Sequence, residues 1–120
     1  MVIESEDDVV GCAALYEYSK TSETIWLDLV LADGLADTDL VRRQAASELV
    51  ASAFRNWSVR KLYAGHLSCD RSPLADLGAK THEEGRIRES VLHDDLYHDR
   101  FIVALHHDSW NDGDGPGETS

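Results

Sequence analysis

The chain has 120 residues, of which 42% are hydrophobic, and its 23 acidic and 11 basic side chains give a formal net charge of −12. This composition supports one compact domain with a buried core and excludes a chain that is disordered throughout. The negative charge also excludes nucleic acid as an expected partner, because like charges repel.

The same composition bears on the compartment. The N-terminal sequence lacks the basic-then-apolar pattern of a signal peptide, and no apolar run is long enough to span a membrane. Cys12 and Cys69 make no disulfide framework. We therefore expect a cytoplasmic protein.

Aspartate outnumbers glutamate and lysine is rare. This composition fits an ordinary acidic protein and a halophilic one, in which salt screens the self-repulsion, equally well.

Strands dominate the first third of the chain. They are predicted at residues 2–3, 9–18 and 24–32. In the third of them Ile25, Leu27 and Leu29 alternate with Trp26 and Asp28, which places the two sets on opposite faces of a sheet.

A long helix is predicted at residues 40–57, after a loop at residues 33–39. Val41, Ala45, Leu49 and Ala53 recur every four residues, so they form one apolar stripe along the helix. A fourth strand is predicted at residues 59–67. A short helix is predicted at residues 73–77, with proline in its first turn.

The chain ends with a predicted hairpin, whose strands cover residues 84–92 and 97–106 around a turn at residues 93–95. Residues 1–107 are predicted to form one domain, and residues 108–120 an acidic, Gly-rich disordered tail. A strand-helix-strand unit favours a parallel strand pair, whereas hairpins are antiparallel. The element order therefore predicts an α+β fold with a mixed, mostly antiparallel sheet.

The hairpin carries the most specific motifs. Glu84, Gly85 and Arg88 form an E-G-x-x-R run, and Tyr97 and Asp99 form a Y-x-D step before an apolar strand. This pattern resembles the closing β-hairpin of GNAT-superfamily N-acetyltransferases, and most of all their ribosomal-protein-alanine acetyltransferase type. Three further stretches resemble motifs of that family in the same order along the chain. They are residues 10–15 (I-G-x-x-x-L), residues 54–63 (F-x-x-x-x-x-x-K-L) and residues 77–80 (L-G-F/A-K).

The resemblance implies a GNAT-like sheet with one long and one short helix, without the family's usual first strand and the two helices after it. It also implies an acyltransferase that moves an acetyl group from acetyl-CoA to an amine acceptor. The alternative is a non-catalytic GNAT-fold binding or assembly module that has lost cofactor binding.

The donor site implied by the resemblance lies between the third strand and the long helix. The backbone of Leu29, Val30 and Leu31 would hold the pantetheine arm, and Val41, Arg42, Arg43 and Ser72 would lie near the rest of the coenzyme. The family's Gly-rich phosphate loop is degenerate here. Gly34 comes early, and Asp37 and Asp39 would repel phosphate. Both aspartates are also good helix caps, and Ser72 is equally an N-cap candidate.

Two residues are candidate catalytic groups. Tyr97 is the phenol that the resemblance implies as proton donor to the leaving thiolate, and Asp28 is a candidate base for the amine, with Glu17 as a second. A strand tyrosine and polar-face carboxylates also occur without any catalytic role.

Metal binding and assembly complete the expectations. Six histidines are present, but their spacing matches no zinc pattern, so no metal is expected. An exposed first strand predicts a homodimer, or a partner chain that completes the fold. Trp26, Trp57 and Trp110 are the candidate interface aromatics. The acceptor amine is not identified by any motif.

Overall fold

The structure is a computed structural model, and it describes residues 2–5, 8–32, 38–75, 77 and 80–110. The described strands form one six-stranded sheet in the order β1-β2-β3-β4-β6-β5. The elements are β1 (Val2–Ser5), β2 (Asp8–Ser19), β3 (Thr24–Leu31), α1 (Thr38–Asn56), β4 (Lys61–Leu67), β5 (Thr81–His93), β6 (Leu96–His106) and a 3₁₀ turn (His107–Ser109).

The sheet is mixed, as predicted. β3 and β4 are parallel because α1 carries the chain from the end of one to the start of the other. The remaining neighbours in the sheet are antiparallel. The α+β architecture expected from the element order is therefore confirmed.

The two faces of the sheet differ. Ile25, Leu27 and Leu29 of β3 are buried in one hydrophobic cluster with the apolar stripe of α1, and we call this the covered face. Trp26 and Asp28 lie on the opposite, open face, because side chains alternate along a strand. Among the described residues no α-helix packs on the open face, since α1 is the one α-helix they form.

The helix α1 begins at Thr38 and ends at Asn56, so it starts two residues earlier than predicted and stops one residue before Trp57. Its buried residues are Ala45, Ala46, Leu49, Val50, Ala53 and Phe54. The predicted stripe is confirmed at Ala45, Leu49 and Ala53, whereas Val41 is partly buried. The earlier start moves Arg42 and Arg43 out of the first turn, where the sequence had placed them.

The short helix predicted at residues 73–77 is wrong. Residues 72–75 form a turn, in which the Ala75 N–H donates to the Ser72 carbonyl at 3.1 Å. The Ser72 hydroxyl accepts from the Leu74 N–H at 3.2 Å, so serine does cap this segment. Five residues offer too few hydrogen bonds to offset the cost of helix nucleation, and burial of Leu74 and Leu77 holds the segment instead.

β5 and β6 extend well beyond the ends of the other strands of the sheet. The pairing of β6 with β4 ends where Arg100 lies opposite Leu67. Residues 87–99 continue as a two-stranded hairpin arm with no neighbouring strand among the described residues. At its tip Asp94 and Asp95 have φ of 52° and 64°, the backbone of a two-residue hairpin turn that needs positive φ at both positions.

The described chain ends at Trp110, which packs against the core after the 3₁₀ turn. The Gly-rich part of the predicted tail, residues 111–120, lies outside the described residues.

Candidate functional site

The parallel strands β3 and β4 separate partway along their length. Their pairing runs from Thr24 opposite Lys61 to Leu27 opposite Ala64, and then stops although both strands continue. The gap is a cleft of about 420 Å³. Its lining is Asp28, Leu29, Val30, Leu31, Arg42, Gly65, His66, Leu67, Asp70, Arg71, Pro73 and Arg100. Backbone groups on this side of β3 are thus open to a ligand instead of to β4.

Gly11 of β2 fixes the position of β3 on the side away from the cleft. A Cβ at Gly11 would clash with the Val30 carbonyl oxygen and would lie 3.1 Å from the Leu31 Cα. Both contacts are with backbone, which cannot move aside as a flexible side chain can. Glycine therefore allows β2 to pack closely against the segment of β3 that forms one wall of the cleft.

The cleft lining is positive within a negative protein. Arg42, Arg71 and Arg100 face Asp28 and Asp70 there, whereas the chain as a whole carries −12. Guanidinium groups are the side chains best suited to bind phosphate through paired hydrogen bonds. This part of the surface is therefore suited to an anionic ligand.

Two buried polar atoms in this lining have no hydrogen-bond partner among the described residues. They are Nε of Arg42 and Nδ1 of His66. Leaving a buried polar atom unpaired costs about 1–3 kcal/mol, so such atoms are expected where a ligand completes the hydrogen bonding. His66 stacks on Phe101 with ring centroids 5.4 Å apart, and burial lowers the pKa of its imidazole, which keeps it neutral near pH 7.

Asp28 lies at the boundary between the cleft and the open face. Its Oδ1 accepts a hydrogen bond from the Leu29 N–H at 2.9 Å, while its side chain stays exposed. This contact holds the carboxylate beside the open backbone of β3. A carboxylate fixed in this way is placed to accept a proton from a group that enters the cleft.

The structure brings five of the predicted site residues together, because Asp28, Leu29, Val30, Leu31 and Arg42 all line the cleft. The other four lie outside the lining. Ser72 sits between the lining residues Arg71 and Pro73. Arg43 is exposed on α1, and Val41 lines a separate hollow beside β1.

Tyr97 is also outside the lining. It lies on the hairpin arm opposite Leu92, and its side chain is 64% exposed. The predictions for Gly34 and Asp37 concern residues outside the described part of the chain, and so does the side chain of Asp39.

Sequence reasoning missed His66 and Arg100. One signal for His66 was available, because Leu62, Ala64 and His66 alternate along β4 and the polar residue ends that apolar series. In sheets with parallel strands, ligands bind beyond the carboxyl ends of those strands, which is where His66 lies. Arg100 gives no such signal, because it reaches the cleft only through the register of β6 against β4.

Neither a metal-binding cluster nor a membrane-spanning helix occurs in the described ranges 2–5, 8–32, 38–75, 77 and 80–110. They contain no group of three or more His, Cys, Asp or Glu side chains close enough to hold a metal ion. They also contain no helix that is both long enough and apolar enough to cross a membrane.

No protein-family model matches the sequence, and no curated protein matches it. Solved structures, however, are similar to it. A probable acetyltransferase matches with a TM-score of 0.73 at 15% identity, covering 88% of this chain and 58% of that one. A spermidine N-acetyltransferase variant from Vibrio cholerae matches with a TM-score of 0.69 at 16% identity, covering 88% and 63%.

A ribosomal-protein-alanine N-acetyltransferase from Brucella melitensis matches with a TM-score of 0.66 at 19% identity, covering 88% of this chain and 66% of that one. The chain thus spans less than two thirds of the length of these structures. A GNAT-family acetyltransferase from Bacillus anthracis is also similar, with a TM-score of 0.66 at 16% identity. The fold of the chain is therefore the GNAT acetyltransferase fold, as the motifs predicted.

Proposed function

We propose that the chain is a GNAT-type acyltransferase that moves an acetyl group from acetyl-CoA to an amine acceptor. One observation carries the proposal. The cleft between β3 and β4 is lined by more arginine than aspartate, and it holds two buried polar atoms, on Arg42 and His66, that have no partner among the described residues. An elongated donor with phosphate at one end and amide groups along its length fits such a lining.

In this proposal the donor lies along the open side of β3. Backbone groups of Leu29, Val30 and Leu31 that face the cleft bind its pantetheine amides, since this segment has no partner on β4, and Leu29 contributes its carbonyl because its N–H already donates to Asp28. Arg42 binds a phosphate oxygen through the guanidinium that is otherwise unpaired at Nε. The family resemblance also implies Val41, Arg43 and Ser72 as donor-site residues, but their positions outside the cleft lining give them no direct contact with the donor in this proposal.

The transfer step needs a base, and we assign that role to Asp28. The carboxylate removes a proton from the acceptor ammonium, and the nitrogen lone pair attacks the acetyl carbon. The C–S bond then breaks, the nitrogen loses its second proton and the CoA thiolate takes up one, giving the neutral amide and the free thiol. The family resemblance implies Tyr97 as donor of that last proton, but its position on the hairpin arm gives this assignment no support.

The proposal is tested by incubating the protein with acetyl-CoA and a panel of primary amines. Release of free CoA thiol that depends on the amine, together with an acetylated amine detected by mass spectrometry, is the expected result. Thiol release without an acetylated amine would indicate only hydrolysis. If neither product forms with any amine, the chain is better described as a non-catalytic binding or assembly module.

We also propose that the protein is cytoplasmic and self-associates, or binds a partner chain, along β1. This strand is one edge of the described sheet, and Val2 is 61% exposed there. Open edges tend to pair with another chain. Light scattering that reports a monomer at every concentration would contradict self-association.

We propose, finally, that the protein is halophilic. The stability of its folded state should then rise with potassium chloride concentration, because salt screens a net charge of −12.

A further inference from the structure

An aromatic row crosses the open face of the sheet beside the cleft. Tyr16 of β2, Trp26 of β3 and Tyr63 of β4 are neighbours across the strands, because Tyr16 pairs with Trp26 and Trp26 pairs with Tyr63. The Tyr16 and Trp26 ring centroids are 6.3 Å apart, and those of Trp26 and Tyr63 are 5.1 Å apart. Tyr16 is 41% exposed although it is a large aromatic side chain.

The row lies next to the proposed base. Asp28 follows Trp26 by two residues on the same strand, so both side chains are on the open face, about 7 Å apart along β3. Asp28 also lines the cleft. A ligand that reaches the cleft from the open face therefore passes over the aromatic row.

One end of the row already binds a cation. Nζ of Lys61 lies 5.4 Å from the centre of the Tyr63 ring, at its hydroxyl edge, where it donates to the Tyr63 hydroxyl at 3.4 Å, and Glu84 neutralises the same ammonium at 2.8 Å. An ammonium group over an aromatic face with a carboxylate nearby is a favourable arrangement. The Tyr16 end has the same two components, an aromatic face and the Asp28 carboxylate.

The charges around Tyr16 favour a cation. Burial first, and then the negative charges of Asp28 and Glu17, raise the pKa of the Tyr16 hydroxyl, whereas Arg100 acts in the opposite direction. Glu17 has a φ of 50°, at the irregularity where the β2–β3 register shifts between Tyr16 and Ser19. An irregularity of this kind changes the direction of a strand side chain, and here it leaves the Glu17 carboxylate next to the aromatic row.

We propose that the rings of Tyr16 and Trp26 bind a second positive charge of the amine acceptor, so that the preferred acceptor is a linear diamine or a longer polyamine. One ammonium lies at Asp28, where it loses its proton, and the other lies over the rings. A five-carbon chain separates two amino groups by about the spacing of Asp28 and Trp26. This inference rests on the proposed transfer to an amine and specifies the class of acceptor.

The experiment compares two probes of equal length, 1,5-diaminopentane and 1-aminopentane. Binding to the unmodified protein is measured by calorimetry at 0.15 M salt, with no acetyl-CoA present, so that no reaction occurs. We expect the diamine to bind about tenfold more tightly than the monoamine. Proton NMR should show upfield shifts of the diamine methylene signals, because ring currents act on groups above an aromatic face.

Variants that leave the net charge unchanged separate ring contacts from the general attraction of an acidic protein for cations. Tyr16→Leu and Trp26→Leu should each remove most of the tenfold preference and the upfield shifts. Trp57→Leu is the matched control, since Trp57 packs on Tyr18 at 4.9 Å, away from the row, and it should bind like the unmodified protein. If Trp26→Leu does not fold, Tyr16→Leu, at the more exposed position, carries the test.

A preference for the diamine that survives in Tyr16→Leu would overturn the inference, and so would equal binding of the two probes to the unmodified protein. Acetyl-CoA binding is measured on the same samples. If acetyl-CoA binds but the diamine preference is absent, the aromatic site is wrong and the transfer proposal stands. If the ring-dependent preference is present but acetyl-CoA does not bind, the cation site stands and the transfer proposal is wrong.

Discussion

The two faces of β3 have opposite compositions although they share one backbone. On the covered face Ile25 and Leu27 are each 1% exposed and pack against α1. On the open face Asp28 is exposed and Val30 is 56% exposed, beside the half-buried Trp26. The covered face therefore supplies most of the hydrophobic burial that holds the fold together, whereas the open face has exposed side chains that remain available to bind a ligand.

This difference explains why the cleft forms where it does. Beyond Leu27 the strand is no longer paired with β4, yet Leu29 remains buried against the core. Packing of the covered face keeps β3 in place after its hydrogen-bonded neighbour on that side has been lost. Hydrophobic burial thus allows the unpaired backbone that the proposed donor site requires.

The largest expected effect is on the covered face. Leu49→Asp buries an unpaired charge at a position that is 6% exposed, and this should cost about 4 kcal/mol or more, a large part of the stability of a small domain. Loss of the cooperative thermal transition in circular dichroism is the expected result. Gln44→Asp introduces the same side chain on the exposed side of α1 and should melt nearly normally. A normal melt for both variants would contradict the assignment of the covered face.

The next largest effect is expected on the open face, where a substitution should reduce activity without reducing stability. Asp28→Asn keeps an oxygen that accepts from the Leu29 N–H but removes the base, so kcat should fall about 10²–10⁴-fold while the melting temperature changes little. Asp70→Asn removes the other acidic charge of the cleft lining and serves as the matched control. An equal loss of kcat in both variants would indicate a general charge effect instead of a base at Asp28.

A smaller effect is expected on the hairpin arm, where none of the described strands or helices covers either face. The backbone N–H of Glu89 donates to Asp99 at 2.9 Å and Arg86 pairs with the same carboxylate, so the pKa of Asp99 is lowered from its ordinary 3.8. The contribution of this pair to the order of the arm is complete above about pH 4 and is lost as the pH falls through the lower folded pKa.

Hydrogen exchange measured by NMR checks this pH dependence. The Glu89 amide should exchange faster in Asp99→Asn than in the unmodified protein at pH 6, and the two rates should converge at low pH after correction for intrinsic exchange. Asp95→Asn, at the turn, is the control and should leave the Glu89 rate unchanged. A difference that persists unchanged to pH 2 would show that the ionised pair does not order the arm.

The smallest expected effect is that of Tyr97→Phe. Because Tyr97 is 64% exposed on the hairpin arm and lies outside the cleft lining, loss of its hydroxyl should change kcat by less than about twofold. Initial rates with acetyl-CoA and an accepted amine provide the measurement. A large fall in kcat with an unchanged melting temperature would instead support the proton-donor role that the family motif implies.

Much of the fold follows from local sequence. The alternation of Ile25, Leu27 and Leu29 predicts the buried face of β3, and the four-residue spacing of Ala45 and Leu49 predicts that of α1, because both patterns report side-chain direction directly. The prediction of a short helix at residues 73–77 was wrong because apolar residues and a proline also fit a buried turn. Local pattern does not reveal which of the two the surrounding structure favours.

The site was predictable only in part. The family resemblance pointed to Leu29–Leu31 and to Arg42, and these residues do line the cleft. His66 and Arg100 were missed because a single histidine or arginine in a strand has many possible surroundings. Their place in the site depends on strand register and on the end of the β3–β4 pairing, which are long-range properties of the sheet.

Calorimetric titration of acetyl-CoA tests the central claim, that the gap between β3 and β4 binds the donor. Two adjacent arginines of α1 allow a matched comparison, because Arg42 lines the cleft with a buried, unpartnered Nε and Arg43 is exposed outside it. We expect measurable binding to the unmodified protein, about tenfold weaker binding to Arg42→Ala, and nearly unchanged binding to Arg43→Ala. No binding to the unmodified protein at millimolar acetyl-CoA, or equal losses in the two variants, would contradict the account.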